Sequence, residues 1–185
     1  VPALADHNRQ EIFASLLKVD EVAEEQFDVV DSSDKVIGTR PRSEVHRRKL
    51  LHRAVHVFVF RSDGAMLIHK RSPSKEEFPS VWTSSCSGHV SAGETYDETA
   101  PREMFEELGI EAAVTPVRKF AASPETSYEF TMLYTANSDD SILPDAQEMT
   151  DIRWMRPIEI EKWIQRAPED FSPAFLLLFR AFRSL

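Results

Sequence analysis

Between Gly88 and Ile110 the chain places Glu103, Glu106 and Glu107 at positions i, i+3 and i+4. On a helix this spacing gathers three carboxylates on one face, where each like-charge pair costs roughly 0.2–0.5 kcal/mol. Clustered hard oxygen ligands are what Mg²⁺ or Mn²⁺ binds, and a divalent ion reverses the repulsion. An acidic helix face is more often simply solvated, so the flanking residues decide between the two. Gly88 and Gly93 permit a tight loop ahead of the helix. Thr95-Tyr-Asp-Glu98 is a capping box, and Gly109 suits a C-cap. Arg102 is spaced to reach Glu98, or Glu94 in the loop, tying loop to helix. Pro101, Met104, Phe105 and Leu108 supply an apolar stripe on the opposite side. Pro101 lacks the N–H that would bond to Asp97 and predicts an irregular first turn, kinked or 3₁₀, with regular helix from about Pro101 onward.

This helix must be held by a scaffold, and the patterning supplies one. Phe27-Asp-Val-Val-Asp31 and Lys35-Val-Ile-Gly38 flank a short polar turn as a hairpin. Ala54-Val-His-Val-Phe-Val-Phe60 reads as a buried strand, joined through Ser62-Asp-Gly64 to Ala65–His69 as a second hairpin. Arg71 to Val81 is a polar loop. Further strands are expected at Val114–Ala121, Tyr128–Ala136 and Asp151–Met155, and a helical tail from Ile158 to Leu185. Residues 1–26, with Ile12, Phe13, Leu16 and Leu17 as sparse apolar positions, read as a helical extension ahead of one domain spanning 27–185. Strands on both sides of a central helix, with terminal helices, indicate an α/β sandwich of mixed sheet.

The 185 residues carry a net charge of −9, which disfavours a nucleic-acid binder. An acidic protein still handles phosphates when metal ions neutralise both sides. No apolar run is long enough for a membrane helix. The single cysteine, Cys86, excludes an intrachain disulfide and fits a reducing, cytoplasmic setting. The chain begins at Val1 rather than Met, which leaves room for a trimmed targeting segment.

The pattern Gly88-x5-Glu94-x7-Arg102-Glu103-x-x-Glu106-Glu107-x-Gly109 resembles the Nudix hydrolase signature at every fixed position. Seven residues at roughly 5–10% usage each coincide by chance on the order of 10⁻⁸ per starting point. The resemblance implies an α/β/α sandwich and a Mg²⁺- or Mn²⁺-dependent enzyme that cleaves small diphosphate-linked substrates. Glu103 and Glu107 would be the main metal ligands, with Glu106 a further or water-mediated one and the Gly88 carbonyl completing the site. Glu94 and Arg102 would orient the carboxylates. The general base would be a helix glutamate, Glu103, or the late-loop Glu148.

Beyond the signature, Leu51-His-Arg53, Lys70–Lys75, Phe78-Pro-Ser-Val-Trp82, Trp82–His89 and Phe171-Ser-Pro173 resemble the isopentenyl-diphosphate isomerase branch. In that branch a cysteine and a late glutamate move protons at an alkene, and histidines with glutamates bind a metal. Here the cysteine's position is held by Ser87, with Cys86 one place away and, in a strand, facing the other side. Ala174 stands where a tryptophan is expected, and Ser127 where Glu129 should have a partner. His46, His52 and His89 resemble the metal histidines, with the first spacing one residue short. Arg71 and Lys75, together with His89, are expected to contact substrate. The leading expectation is therefore a diphosphohydrolase on an isomerase-like chassis. The alternatives are the isomerase itself and a binding module without catalysis. The apolar C-terminal helices would cover the site or form a homodimer contact.

Overall fold

The computed structural model describes residues 24–185, so the expected N-terminal helix around Ile12–Leu17 lies outside the described residues. The first hairpin is present: β1 (Gln26–Val30) pairs antiparallel with β2 (Val36–Pro41) in a two-stranded sheet of its own. A short helix, α1 (Arg42–Arg48), follows and returns the chain to β3 (His52–Phe60).

Alternation along β3 explains the layers. Val55, Val57 and Val59 pack with Leu67, Ala100, Met104 and Leu108 on one face. Phe58, with Met66, Ile68 and Leu133, packs on the other face against Ile160, Phe175, Leu178 and Phe179. Successive side chains of a strand point to opposite faces, so a strand apolar on both must be covered on both. The first cover is α2 (Tyr96–Leu108); the second is α3 (Pro157–Arg166) with α4 (Pro173–Arg183). This is the expected α/β/α sandwich. Its seven-stranded sheet runs β5 (Trp82–Thr83), β4 (Met66–Arg71), β3, β8 (Glu129–Asn137), β7 (Val114–Phe120), with β6 (Cys86–His89) on β3 and β9 (Met149–Met155) on β4. The β3–β8 pair is parallel and the others antiparallel, so the sheet is mixed.

The second hairpin departs from expectation. β3 and β4 (Met66–Arg71) pair at Phe60↔Met66 and then part. The Ser85 hydroxyl sits in the gap, accepting the Val59 N–H at 2.7 Å and donating to the Leu67 carbonyl at 2.6 Å. β6 (Cys86–His89) then takes over β3 from Val57 to Ala54. Strands β7 (Val114–Phe120), β8 (Glu129–Asn137) and β9 (Met149–Met155) lie close to their expected ranges. The helical tail is broken by a 3₁₀ turn at Pro168–Asp170. Pro173 cannot donate to a continuing helix and instead opens α4, capped by Ser172 Oγ on the Phe175 N–H at 3.3 Å.

Two expectations for α2 are corrected. The helix is continuous from Tyr96, without an irregular first turn. Its start is over-anchored: Thr95 and Glu98 form the reciprocal capping box, and Thr99 sends both its N–H and its hydroxyl to the Thr95 carbonyl. Those bonds offset the one that Pro101 removes. Nor is the apolar stripe opposite the carboxylates. Ala100, Glu103, Met104, Glu107 and Leu108 all turn inward together, while Phe105, about 100° further round from Met104, is 55% exposed.

Candidate active site

β6 pairs only with β3 among the described residues, so its outer edge is open. A cleft wraps that edge, reached by α2 from one face of the sheet and by Ser87 and His89 from the other. Gly88 and Cys86 alternate to the α2 side.

Arg102 organises the α2 side. Its Nε and Nη2 donate to the two Glu94 oxygens at 3.0 and 2.8 Å, a forked pair. Nη1 donates to Glu103 Oε1 at 2.8 Å and Glu106 Oε2 at 3.0 Å, and Nη2 reaches the His89 carbonyl at 3.3 Å. Of its two expected partners, Arg102 therefore takes Glu94, while Glu98 is spent on the cap. Glu94 Oε2 also accepts the Ser91 N–H and the Thr99 hydroxyl, closing loop onto helix.

Glu103 and Glu107 are buried, whereas Glu106 lies at the exposed rim. Burial pushes the Glu103 carboxyl up to about 7, against the pull of Arg102. Burial pushes Glu107 well above the carboxylate range, and the neighbouring Glu103 and Glu148 add to it. Among the described residues Glu107 Oε2 has no hydrogen-bond partner. A buried carboxylate with an unpartnered oxygen beside a second carboxyl is costly in a protein interior, and a hard cation satisfies both. The Glu103 carboxyl lies flat on Gly88, where a β-carbon would overlap all three of its carboxyl atoms. Gly88→Ala should therefore displace Glu103 and lower divalent-cation affinity by about tenfold or more, read by calorimetric titration of Mn²⁺.

The remaining sequence-predicted residues converge on the same cleft. Arg71, at the end of β4, sends Nε and Nη2 to the carbonyls of Glu77 and Phe78, so it shapes the 71–81 loop and turns only Nη1 free of these bonds. Lys75 pairs with Glu148 at 2.5 Å across that loop. Glu148 is held by its own backbone, its N–H on Asp145 and its carbonyl under the Ser72 N–H.

His89 belongs to a second cluster. His46 from α1, His52 at the start of β3 and His89 from β6 bring ligand atoms within 4.8 Å of one another. Glu129 joins them: His89 Nε2 lies 3.0 Å and His52 Nε2 3.5 Å from its Oε1. His52 Nδ1 donates to the Leu50 carbonyl at 2.8 Å, so Nε2 of the neutral ring is a lone pair. The Nε2 atoms of His46 and His52 are buried without hydrogen-bond partners among the described residues. Burial, with His89 and His52 nearby, lowers His46 to about 4. Burial alone would raise Glu129, but the neighbouring His52 and His89, with His89 at hydrogen-bond distance, hold it well below its ordinary range. The His52 lone pair beside the Glu129 carboxylate, with His46 Nε2 close by, fits a cation among them.

Comparison with known proteins decides the family. The model of the NUDIX domain matches residues 50–175. The chain belongs to the Nudix family. It is 34% identical to an isopentenyl-diphosphate delta-isomerase of Agromyces mediolanus, over 80% of this chain and 76% of that one. It is 31% identical to a prenyl-diphosphate phosphatase of Methanosarcina mazei, over 78% and 87% respectively. A crystal structure from Deinococcus radiodurans superimposes with a TM-score of 0.76 at 30% identity, covering 85% of this chain and 98% of that one. This Nudix chain is thus similar to an isomerase and to a phosphatase at once.

Within the Nudix domain Cys86 is buried in the core beneath α2, and burial raises its thiol well above the usual range. Ser87 takes the cleft-facing position, opposite His56. Spacing alone did not bring out Arg42, which reaches His89 Nδ1 at 3.4 Å, or His56, whose Nδ1 lies 2.7 Å from Ser84 Oγ. A polar residue in an apolar strand was the available signal for His56.

Proposed function

We propose that the chain is a divalent-cation-dependent hydrolase that cleaves a diphosphate linkage in a nucleotide or related small molecule. The observation that carries this reading is the buried Glu107 carboxyl, with one oxygen unpartnered among the described residues, beside Glu103 on Gly88, opening into a cleft that also holds Arg71 and Lys75. Glu103, Glu107 and the Gly88 carbonyl, with Glu106 at the rim, would hold Mg²⁺ or Mn²⁺. The cation, when bound, neutralises diphosphate charge and makes water more acidic. Arg102 keeps Glu103 and Glu106 oriented. Arg71 Nη1 and Lys75 face the diphosphate oxygens as donors. Glu148, one oxygen on Lys75, offers the other to take a proton from the attacking water. As the new P–O bond forms, the bridging P–O bond breaks and its electron pair stays on the leaving phosphate. A phosphate-release screen of nucleotides, nucleotide sugars and isoprenoid diphosphates, run with Mg²⁺ and with Mn²⁺, tests the reading. Tight ligand binding with no turnover across that panel would favour a non-catalytic module instead.

The histidine cluster favours a second cation, held by His46, His52 and His89 with Glu129. Co²⁺ added to the metal-free protein should give a visible absorption band of imidazole coordination. His52→Ala should lose that band, and Glu107→Gln should keep it.

The isomerase reading draws on that cluster and on the isomerase relatives, but needs a thiol in the cleft. Cys86→Ala should leave phosphate release within about twofold, because the thiol faces the apolar core. Isopentenyl-diphosphate isomerisation that disappears in Cys86→Ala would reinstate the isomerase.

A further inference from the structure

The loop between β4 and β5 has two unlike halves. Its first half is anchored: the Ser72 N–H donates to the Glu148 carbonyl, the Lys75 N–H to the Ser72 carbonyl, and the Ser72 and Ser74 hydroxyls bond each other. From Glu76 to Ser80 every residue is exposed and, among the described residues, no backbone N–H donates a hydrogen bond. Arg71 is what holds this half. Its Nε and Nη2 donate to the Glu77 carbonyl at 3.2 and 2.9 Å, and Nε also to the Phe78 carbonyl at 3.1 Å. The backbone so held is strained. Phe78 (φ 47°) and Ser80 (φ 61°) both lie in the left-handed region, which is unfavourable for any side chain with a β-carbon. Phe78 does so immediately before Pro79, where extended backbone is preferred. Such a conformation persists only where its surroundings impose it. The outcome is a large apolar ring, 39% exposed, on the wall of the cleft.

We propose that Arg71 couples the bound diphosphate to the 76–80 loop, and that Phe78 is a positioning residue which this loop holds over the ligand. A guanidinium is planar and rigid. With Nη1 on a diphosphate oxygen and Nε and Nη2 on the two carbonyls, it joins ligand to loop, so that fixing one fixes the other. Glu76 and Glu77 also line the cleft and repel a diphosphate, so the link runs through Arg71 rather than through the loop's own side chains. The held ring covers part of the cleft, keeps water from the ligand and slows its escape. The inference rests on the diphosphohydrolase reading of the same cleft, and it holds whatever group the diphosphate bears.

Limited proteolysis with a glutamate-specific protease, which cuts after Glu76 and Glu77, tests the coupling without requiring turnover, the fragments being assigned by mass. Methylenediphosphonate with Mg²⁺, at the saturation fixed by calorimetric titration, should slow both cuts at least about fivefold, the lower end of an ordinary coupling between sites. In Arg71→Lys, brought to the same saturation, the cuts should not slow, because an ammonium on a phosphate oxygen cannot also hold two carbonyls in a fixed fork. That variant separates coupling from simple shielding by the ligand. Phe78→Ala should release methylenediphosphonate faster at an unchanged association rate, read by stopped flow. Cuts that keep pace or speed up on binding overturn the inference, since the diphosphate then leaves the loop untouched or draws Arg71 off the carbonyls. Protection that survives in Arg71→Lys overturns it too, as does unchanged release from Phe78→Ala. If methylenediphosphonate fails to bind the parent, the diphosphohydrolase reading falls and takes this inference with it, whereas a bound ligand beside an unprotected loop removes this inference alone.

Discussion

Glu107→Gln should abolish phosphate release while leaving the fold at least as stable. Glu107 is 5% exposed, has an oxygen without a partner among the described residues and carries a carboxyl that burial drives well above its ordinary range. In the metal-free protein near neutral pH this group is a liability: it is either held protonated or kept as an uncompensated charge. Glutamine keeps the shape and removes that cost, so the melting temperature of the metal-free variant should equal or exceed the parent's. Turnover should fall by more than ~100-fold, since even the outer partners of a metal ligand cost about 10–100-fold when lost. Saturating Mg²⁺ should raise the parent's melting temperature, because a ligand at about 100 times its Kd stabilises by about 2.7 kcal/mol. The same addition should barely move Glu107→Gln. A variant that keeps full turnover, or still gains stability from Mg²⁺, would remove Glu107 from the cation site. Poor folding alone could not mimic the expected result, since stability and turnover move in opposite directions.

Much of this site was legible because its determinants are local. The capping box, Gly109 and the three carboxylates lie within 15 residues of one another in sequence, and helical geometry alone brings them together. The Glu94–Arg102 fork was legible as one of two options, and the choice went to Glu94 because Glu98 was already occupied by Thr95. What residue spacing alone did not expose, and what for the histidines only the family resemblance suggested, depends on pairing between distant segments. His46, His52 and His89 come from α1, β3 and β6, and Glu129 from β8. No spacing rule joins them; the β3–β8 register, which sets His52 beside Glu129, does. His56 and Ser87 likewise meet through a strand pair.

The fold was legible where apolar runs are long, as in β3, and less so where a polar side chain substitutes for backbone pairing. Ser85 is the clearest case: its hydroxyl bridges β3 and β4 and so ends a hairpin that Ser62-Asp-Gly64 would otherwise extend. Phe105 shows a different limit. A helix stripe about 100° wide is set by what the sheet leaves room for, and here buried glutamates occupy positions that hydrophobicity alone would assign to Phe105.

Arg102→Leu should behave differently from Glu107→Gln, losing both activity and stability. Arg102 is the shared donor for Glu94, Glu103 and Glu106 and also reaches the His89 carbonyl. Its guanidinium, pushed further up by these carboxylates against the cost of burial, is positive at any working pH. Removing it leaves three carboxyls facing one another, and Glu103, already at about 7, shifts higher still. The 88–94 loop loses its fork to α2, and the partly buried network should cost about 2 kcal/mol, discounted from the 3–5 of a fully buried pair because Arg102 retains some solvent contact. Cation affinity should drop by at least about tenfold, and saturating Mn²⁺ should recover part of the activity because the ligands themselves are intact. Arg102→Lys should recover charge but not the fork, since an ammonium cannot make two parallel bonds to Glu94 while holding Glu103. Its metal affinity should therefore fall between leucine and the parent, with stability nearer the leucine variant. If lysine restores both fully, Arg102 acts as a point charge and the forked geometry is incidental.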